Sequence, residues 1–437
     1  MLPAVFALSA LAGVARADDT PTPPAGTAAP TAAPAPAETP AASADPLAAT
    51  GEVTTAEDLE ALKERVRTLE RQLDDEKRAE AAQQSQEIPL DLETRVHGYA
   101  AINAIYYEQN PLGLSLDQLV LGYAANLDRK YTFYSEVSFD PGELDTGIDL
   151  DNLEIKLNFR DTLQVVVGRS NSPLSEWSDG SLHGAYRYTP VVLPEILALE
   201  QQDGLIPVHL TGVQVRGVAP LGFWQLGYVA DVSNGRSPLL GGVAQVGDSG
   251  WGKALLGRVW VESPSGVRIG VAGSFDQVEP EGGEDAEAEA LDEGVVAAVD
   301  EPTSEILGVL SLSTEGGRLE LLSEGFTMIH QEEGGSPVVN LAGYALLGYH
   351  IHQVTPYVLV DTKKLDADDP IYQHFDEVAS EVKGSLGARY DLGLRVALKG
   401  QVDLVHEQIY TGPDAGTEPG GASENSVGFH LQMAAGF

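Results

Sequence analysis

The 437-residue chain contains no cysteine, which excludes disulfides, thiolate metal sites, a catalytic thiol and a lipidated N-terminal cysteine. Basic residues are also scarce, because 26 Lys and Arg stand against 66 Asp and Glu and give a net charge of −40. Such a chain is poorly suited to nucleic acid, whose phosphates are bound through Lys and Arg. Beyond the N-terminus the longest apolar run, 338–351, falls short of the roughly 20 residues that a membrane helix needs. These absences leave a soluble acidic protein or a membrane barrel built from alternating strands.

The N-terminal region has the pattern of an export signal followed by a linker. Met1–Val14 are almost wholly apolar and Ala15-Arg16-Ala17 forms an A-x-A cleavage motif, so we predict a secretory signal peptide over residues 1–17. No Lys or Arg precedes the apolar stretch, which departs from the usual pattern. Residues 18–52 are rich in Ala, Pro and Thr, and repeated prolines block helices and sheets. We therefore expect a disordered linker over this range.

Residues 53–88 carry a short heptad pattern. Apolar side chains recur at spacings of three and four among charged residues, and they form the seam Leu59, Leu62, Val66, Leu69 and Leu73. A narrow stripe of this kind predicts a coiled-coil helix that self-associates. A surface helix that packs on its own domain is the alternative. So short a seam supplies little association energy by itself.

From residue 90 onward apolar residues alternate with polar or small ones. At the end of the chain Phe437, Leu431 and Phe429 are apolar, whereas Gln432 and His430 lie at alternate positions. One face suits lipid and the other suits water, which is typical of a transmembrane strand. About 16 segments of this kind follow one another to the C-terminus.

The connections between these segments alternate in length. Tight turns such as Asp128-Arg129-Lys130 alternate with longer loops, notably 172–207, 233–250, 277–303, 363–379 and 407–423. Short periplasmic turns and long outer loops are the polarity of bacterial outer-membrane barrels. The predicted fold is all-β and transmembrane: a closed, antiparallel, up-and-down barrel of about 16 strands over residues 90–437. A soluble β-sandwich is the alternative, although it would not require this alternation of turn lengths.

The chain resembles the trimeric sixteen-stranded porins of Gram-negative bacteria. The terminal Phe437 matches the aromatic residue that the barrel-assembly machinery recognises, and several such porins carry an N-terminal periplasmic coiled coil. A more specific similarity, to porins related to the phosphate-selective group, is confined to 167–217 and rests on Val167-Gly168-Arg169, Ser172-Pro173-Leu174, Trp177, His183-Gly184, Pro190, Ile206-Pro207-Val208-His209 and Thr211-Gly212. Phosphate selectivity is not implied, because those pores are lined by Arg and Lys and this chain has little Lys.

The resemblance implies a passive diffusion channel for small hydrophilic solutes or ions. It implies a homotrimer in the outer membrane, in contact with lipid and lipopolysaccharide, with the N-terminal region in the periplasm. A structural barrel that tethers the outer membrane to the cell wall through the linker and coiled coil is the alternative, and a barrel-embedded hydrolase is a weaker one.

Loop 172–207 is the candidate constriction loop. Its second half is apolar, and exposing such a segment outside the cell would be costly, so we expect it to fold into the barrel. The resemblance implies the same, because the corresponding loop of such porins narrows the pore. An outer loop at a subunit contact is the alternative. Its charged residues are Glu176, Asp179, Arg187, Glu195, Glu200 and Asp203.

Basic residues on the predicted pore wall would face this loop. The candidates are Arg216, Arg258, Arg268, Arg389, Arg395 and Lys399. Acids facing bases across water would create a transverse field that orients dipolar solutes and sets ion preference. With acidic outer loops added, the expectation is a weak cation preference. Charges that simply pair along the wall are the alternative.

We predict no cofactor, no metal site and no catalytic residues. We predict that the acidic loop 277–303 is a solvated loop. A weak divalent-cation site is the alternative. His350 and His352 share one strand face but lack a third ligand. Neither a G-x-S-x-G elbow nor an H-E-x-x-H motif occurs, so no enzymatic activity is expected.

Overall fold

The computed structural model describes residues 63–69, 92–107, 112–127, 130–140, 147–181, 184–197, 205–236, 239–240, 253–280, 296–297, 299, 301–314, 316–372, 378–409 and 423–437. The chain divides into two units, Met1–Gln86 and Glu87–Phe437. In the described part of the chain, no helix is long and apolar enough to cross a membrane.

In the first unit, residues 63–69 are helical, and the seam residues Val66 and Leu69 are exposed. Self-association through the seam stays a prediction. The other predicted features of this region, together with two acids of the constriction loop, lie outside the described residues: the signal peptide, the linker, Leu59, Leu62, Leu73, Glu200 and Asp203.

Sixteen described strands of the second unit form one closed antiparallel barrel. Each barrel strand pairs with the barrel strands that precede and follow it in the chain, and β1 (Leu92–Tyr107) pairs with β18 (Ser423–Gly436) to close the ring. A further two strands, β8 (Leu239–Leu240) and β11 (Val296–Ala297), form a separate two-stranded sheet. The barrel strands are β1 (Leu92–Tyr107), β2 (Gly113–Leu127), β3 (Tyr131–Asp140), β4 (Gly147–Arg160), β5 (Leu163–Asn171), β6 (His209–Leu221), β7 (Trp224–Ser233), β9 (Ala254–Glu262), β10 (Val267–Val278), β12 (Thr303–Thr314), β13 (Leu319–Glu332), β14 (Val338–Tyr349), β15 (Val354–Lys364), β16 (Val378–Asp391), β17 (Val396–Ile409) and β18 (Ser423–Gly436).

The alternation of side chains along each strand separates an outer face from an inner face. On β15 the outward Val358 and Val360 are exposed, whereas the inward Tyr357 and Asp361 are buried. Successive side chains of a strand point to opposite faces, so an apolar outer surface and a partly polar lumen follow from the sequence pattern. The predicted fold, a closed antiparallel barrel of 16 strands, is confirmed.

The last residue of the chain completes the ring. The backbone N–H of Phe437 donates to the carbonyl of Gly98, and the N–H of Gly98 donates to the carbonyl of Phe437, both at 3.0 Å. The Phe437 ring lies over Gly98, where a Cβ atom would come within 2.4 Å of the ring. Glycine at position 98 therefore makes room for the terminal aromatic side chain at the seam between β1 and β18.

An apolar core lies inside the barrel and fills one part of it. Buried side chains of the segment between β5 and β6 pack against an apolar patch on the inner wall of β9–β15. The segment contributes Leu174, Trp177, Ile196, Leu197, Leu205 and Ile206, and the wall contributes Leu256, Leu307, Val309, Phe326, Met328, Tyr344, Leu346, Tyr357 and Leu359. Burial of this apolar area is the main force that holds the segment inside the barrel.

Candidate channel constriction

The segment between β5 and β6, here called the inward loop (172–208), enters the barrel and begins a short helix at Glu176–Ser181. The Ser175 hydroxyl accepts hydrogen bonds from the backbone N–H groups of Trp177 (3.1 Å) and Ser178 (3.3 Å), as an N-cap does. The same hydroxyl donates to Glu324 on β13 at 2.5 Å, and the backbone N–H of Glu176 donates to that carboxylate at 2.8 Å. The inward loop is therefore attached to the wall from inside the lumen, rather than lying at an outer surface.

Trp177 is the largest apolar anchor of the inward loop. It is 3% exposed. Its ring centroid lies 5.8 Å from that of Tyr188 within the loop and 5.6 Å from that of Tyr344 on β14. Tilted and edge-on arrangements at these distances are favourable for aromatic pairs. The contact joins two parts of the loop to each other and to the wall.

The carboxylates of the inward loop contact the basic wall residues directly. Glu176 lies 2.9 Å from Arg268 and 3.2 Å from Arg258, all three inside the barrel. Asp179 accepts two hydrogen bonds from Arg216, at 2.9 and 3.0 Å. The expectation that these acids face bases across water is wrong for these pairs. The helix Glu176–Ser181 brings the loop into contact with the wall, and the loop fills the space that the water would occupy.

Glu195 makes an equivalent contact further along the loop. Its carboxylate contacts Lys383 on β16, and its backbone N–H donates to Asp361 on β15 at 2.6 Å. Burial opposes ionisation of Glu195, but the Lys383 ammonium outweighs it and holds the pKa of the Glu195 carboxyl below its ordinary value. The loop is thus fixed by ion pairs at two separate places along its course.

Two basic side chains donate hydrogen bonds to carbonyls of the inward loop near the short turn that joins β16 to β17. Lys399 donates to the carbonyls of Ala185 and Pro190, the latter at 2.9 Å. Arg389 donates to the carbonyls of Tyr186 at 2.7 Å and Tyr188 at 3.0 Å. Lys399 is therefore a buried loop anchor and not a pore-lining charge.

Arg395 also departs from its predicted place on the pore wall. The strand β17 begins at Val396, and Arg395 is exposed in the turn that precedes it. Its carbonyl accepts a hydrogen bond from the N–H of Gly436 at 2.8 Å. The alternation in the sequence begins at Leu394, two residues before the strand starts, and for this reason it predicts an inner-face position for Arg395.

Two cavities lined by described residues lie beside the inward loop. The first, here called the wall cavity, has a volume of about 310 Å³ and lies between the loop and β3–β6. Its lining consists of Tyr134, Glu136, Asn152, Glu154, Lys156, Gln164, Ser170, Asn171, Asp179, Arg187 and Arg216. The other, here called the turn-end cavity, has a volume of about 360 Å³ and is lined by residues that include Arg187, Glu320, His350, Arg389 and Asp391. Arg187 lines both.

Apart from Arg395 and the undescribed Glu200 and Asp203, the predicted site residues line a cavity, hold the loop, or do both. Asp179, Arg187 and Arg216 line the wall cavity, and Arg389 lines the turn-end cavity. Glu176, Arg258, Arg268 and Glu195 instead make the ion pairs that hold the loop. The predicted set omitted Glu136, Glu154 and Lys156. Glu154 and Lys156 occupy the polar positions of an alternating strand, and that signal could have identified them.

A second buried charge cluster holds the loop where it returns to the wall. Arg236 donates to the Leu205 carbonyl at 2.6 Å and to Glu305 on β12 at 2.8 Å. His330 on β13 lies 3.4 Å from Glu305 and 2.7 Å from Asp369, which follows β15. Burial raises the pKa of Asp369, but hydrogen bonding to His330 outweighs it and keeps this pKa below its ordinary value. The cluster joins the inward loop to residues that follow β7 and β15.

The histidines singled out in the sequence have separate roles. His350 contacts the Thr355 hydroxyl at 2.8 Å, and His352 occupies a turn with a φ of 59°. Across the described ranges no group of three or more His, Asp or Glu is placed to hold a metal ion. Most of the acidic loop 277–303 lies outside those ranges, so its divalent-cation interpretation stays a prediction.

Comparison with solved structures identifies the architecture. An anion-selective porin from Comamonas acidovorans aligns with a TM-score of 0.54 at 14% identity, over 79% of this chain and 100% of that chain. OmpT of Vibrio cholerae, expressed in the outer membrane, aligns with a TM-score of 0.53 at 10% identity, over 79% of this chain and 98% of that chain. A trimer form of OmpT gives a TM-score of 0.52 at 11% identity, over 79% and 99%. The chain has the porin fold.

No protein-family model matches the chain. No curated protein matches it either. At identities of 10–14% these similarities show the fold of the chain and not the solute that it passes.

Proposed function

We propose that this chain is an outer-membrane porin, a passive diffusion channel for small hydrophilic solutes or ions. The observation that supports this most strongly is the wall cavity, a polar space of about 310 Å³ between the inward loop and β3–β6. Charged and amide side chains line it on both sides, as in pores that pass hydrated solutes. The apolar core on the opposite side of the loop offers no such path, so permeation runs along β3–β6.

The outer surface of the barrel supports a position in the outer membrane. Outward residues of β17 and β18, such as Leu404, Phe429 and Leu431, are exposed and apolar. Exposed apolar side chains at alternate strand positions suit contact with lipid. We propose a homotrimer with the N-terminal region in the periplasm, and one structure of similar fold is described as a trimer form.

The ion pairs of the loop revise the basis for ion preference. The expected weak cation preference rested on a near balance between loop carboxylates and wall bases, with the acidic outer loops deciding the sign. In the structure Glu176 and Glu195 contact wall bases directly, so these charges neutralise each other by pairing and not across water. The wall cavity itself is lined by three acids and three bases: Glu136, Glu154, Asp179, Lys156, Arg187 and Arg216. We propose a constriction close to neutral, with any remaining preference set by the acidic outer loops.

Conductance in a planar lipid bilayer tests the proposed function. The purified full chain should insert in discrete steps and give a linear current–voltage relation in KCl, because a fixed polar path requires no gating event. Folded protein that inserts without conductance would refute the channel and favour the structural tether. The folded state is checked separately by its altered mobility in electrophoresis before heating.

A further inference from the structure

The outward face of the barrel becomes polar where β15–β18 approach the long loops. In one cross-strand row Lys364 pairs with Ser380, which pairs with Gln408. In the next row His406 pairs with Asn425. These residues and their neighbour on β15 form a surface here called the rim patch, which consists of Thr362, Lys364, Ser380, His406, Gln408 and Asn425.

The rim patch lies at the level of the outer headgroups of the membrane. Directly below it, the outward residues of β17 from Leu404 to Val396 are apolar or glycine. At about 3.4 Å per residue and a tilt of about 40°, this stretch spans about 20 Å along the barrel axis, close to the apolar band of about 25 Å that such barrels present to lipid. Because long loops lie on the outer side of these barrels, the rim patch faces the outer leaflet.

The rim patch contains no carboxylate, although Asp and Glu outnumber Lys and Arg by 66 to 26 in the chain. Acids at the ends of these strands, Glu381, Glu407 and Glu424, pair with one another across β16–β18. They occupy positions that alternate with the rim patch and therefore point into the lumen. The acids are thus confined to the inner face here, and the outer face carries Lys364 and His406, both exposed.

Hydrogen bonds within the rim patch use its acceptors and leave its donors. The Ser380 hydroxyl donates to Oε1 of Gln408 at 3.1 Å, and Nδ1 of His406 donates to Oδ1 of Asn425 at 2.9 Å. The amide nitrogens of Gln408 and Asn425 remain as donors. The Lys364 ammonium contacts no other side chain in the described part of the chain. A cation beside several N–H donors suits a phosphate group, which accepts charge-assisted hydrogen bonds.

We propose that the rim patch binds the phosphorylated saccharide headgroup of an outer-leaflet glycolipid, with a phosphate at Lys364 and sugar hydroxyls at His406, Gln408 and Asn425. The inference rests on the proposed position in the outer membrane and deepens it by naming the lipid. At about 4.8 Å between neighbouring strands, the patch is about 14 Å wide. It is therefore wider than one phosphate group and leaves room for the sugars that carry it.

Binding of lipid A to the purified full chain in detergent tests this inference. The probe is lipid A with both of its phosphates, and phosphatidylglycerol is the comparison, because it is anionic but carries no sugar. We expect Lys364→Gln to weaken the binding of lipid A about tenfold, since it removes a hydrogen bond between charged groups. Lys364→Arg should preserve the affinity. Lys130→Gln is the matched control, because Lys130 is exposed in the short turn before β3, at the opposite end of the barrel.

A second variant covers the saccharide. Gln408→Ala should weaken the binding of lipid A several-fold. An affinity that is unchanged in both Lys364→Gln and Gln408→Ala would overturn the inference. Equal weakening for lipid A and phosphatidylglycerol would overturn the assignment to a glycolipid, and a disulfide between two copies of Gln408→Cys would place the patch at a subunit contact instead. Conductance is recorded on the same samples, so failure of the channel is distinguishable from failure of lipid binding.

Discussion

Removing the indole of Trp177 should detach the inward loop without unfolding the barrel. Trp177 is 3% exposed and packs against Tyr188 and Tyr344. Truncation of a buried Trp to Ala costs about 3–5 kcal/mol in typical cores. The strand hydrogen bonds of the barrel do not involve Trp177, so the cost falls mainly on the attachment of the loop. Since about 1.4 kcal/mol corresponds to a tenfold change in an equilibrium constant, the detached fraction should rise by roughly two to four orders of magnitude.

Single-channel recording detects this change. The Trp177→Ala channel should show frequent excursions to higher conductance, because the space that the loop fills becomes part of the pore. Trp224→Ala is the matched control, since Trp224 lies on β7 and is about half exposed, and its conductance should equal that of the unmodified chain. A Trp177→Ala channel with unchanged conductance and noise would refute the view that this contact holds the loop.

Three further predictions follow from the contacts described above. Deletion of Phe437 should sharply reduce folded protein in the outer membrane, because it removes the paired hydrogen bonds with Gly98; normal assembly would contradict this. Deletion of residues 18–89 should leave oligomers that chemical crosslinking detects, though less stable ones, and a monomeric full-length protein would argue against a trimer. The pKa values of Glu195 and Asp369 are both lowered, so the attachment they provide should be complete above their ordinary values, about pH 4.5, and should be lost as pH falls further through their folded pKa values. Current noise recorded from pH 7 down to pH 3 checks this, and a loss already at pH 6 would be the contrary result.

The barrel was predictable because its signal is local and repeated. Apolar and polar residues alternate within each strand, as along Thr303–Thr314 and Val354–Lys364, so each strand can be recognised without reference to the others. The entry of loop 172–207 into the barrel could also be predicted from the sequence, because an apolar run such as that around Ile196 and Leu197 has to be buried.

The pairing of charges was not predictable in the same way. Whether Glu176 faces water or meets Arg268 depends on how closely the loop approaches the wall, and this is set by distant contacts such as the one between Trp177 and Tyr344. These contacts join residues 92 positions apart (Glu176 and Arg268) and 167 positions apart (Trp177 and Tyr344), and contacts at such separations cannot be predicted from local periodicity. Glu136 was missed for a related reason, because only the loop's course decides which part of the wall remains open.

The most direct test of the account is to locate the permeation path with single cysteines, which the cysteine-free chain makes possible. Gln164→Cys places a thiol in the lining of the wall cavity, and Ser385→Cys places one on the inner face of β16, where Ser385 is 2% exposed. A charged, water-soluble thiosulfonate should reduce the current through the Gln164→Cys channel within seconds and leave the Ser385→Cys channel unaffected. Block at Ser385→Cys with no effect at Gln164→Cys would contradict a pore that runs between the inward loop and β3–β6.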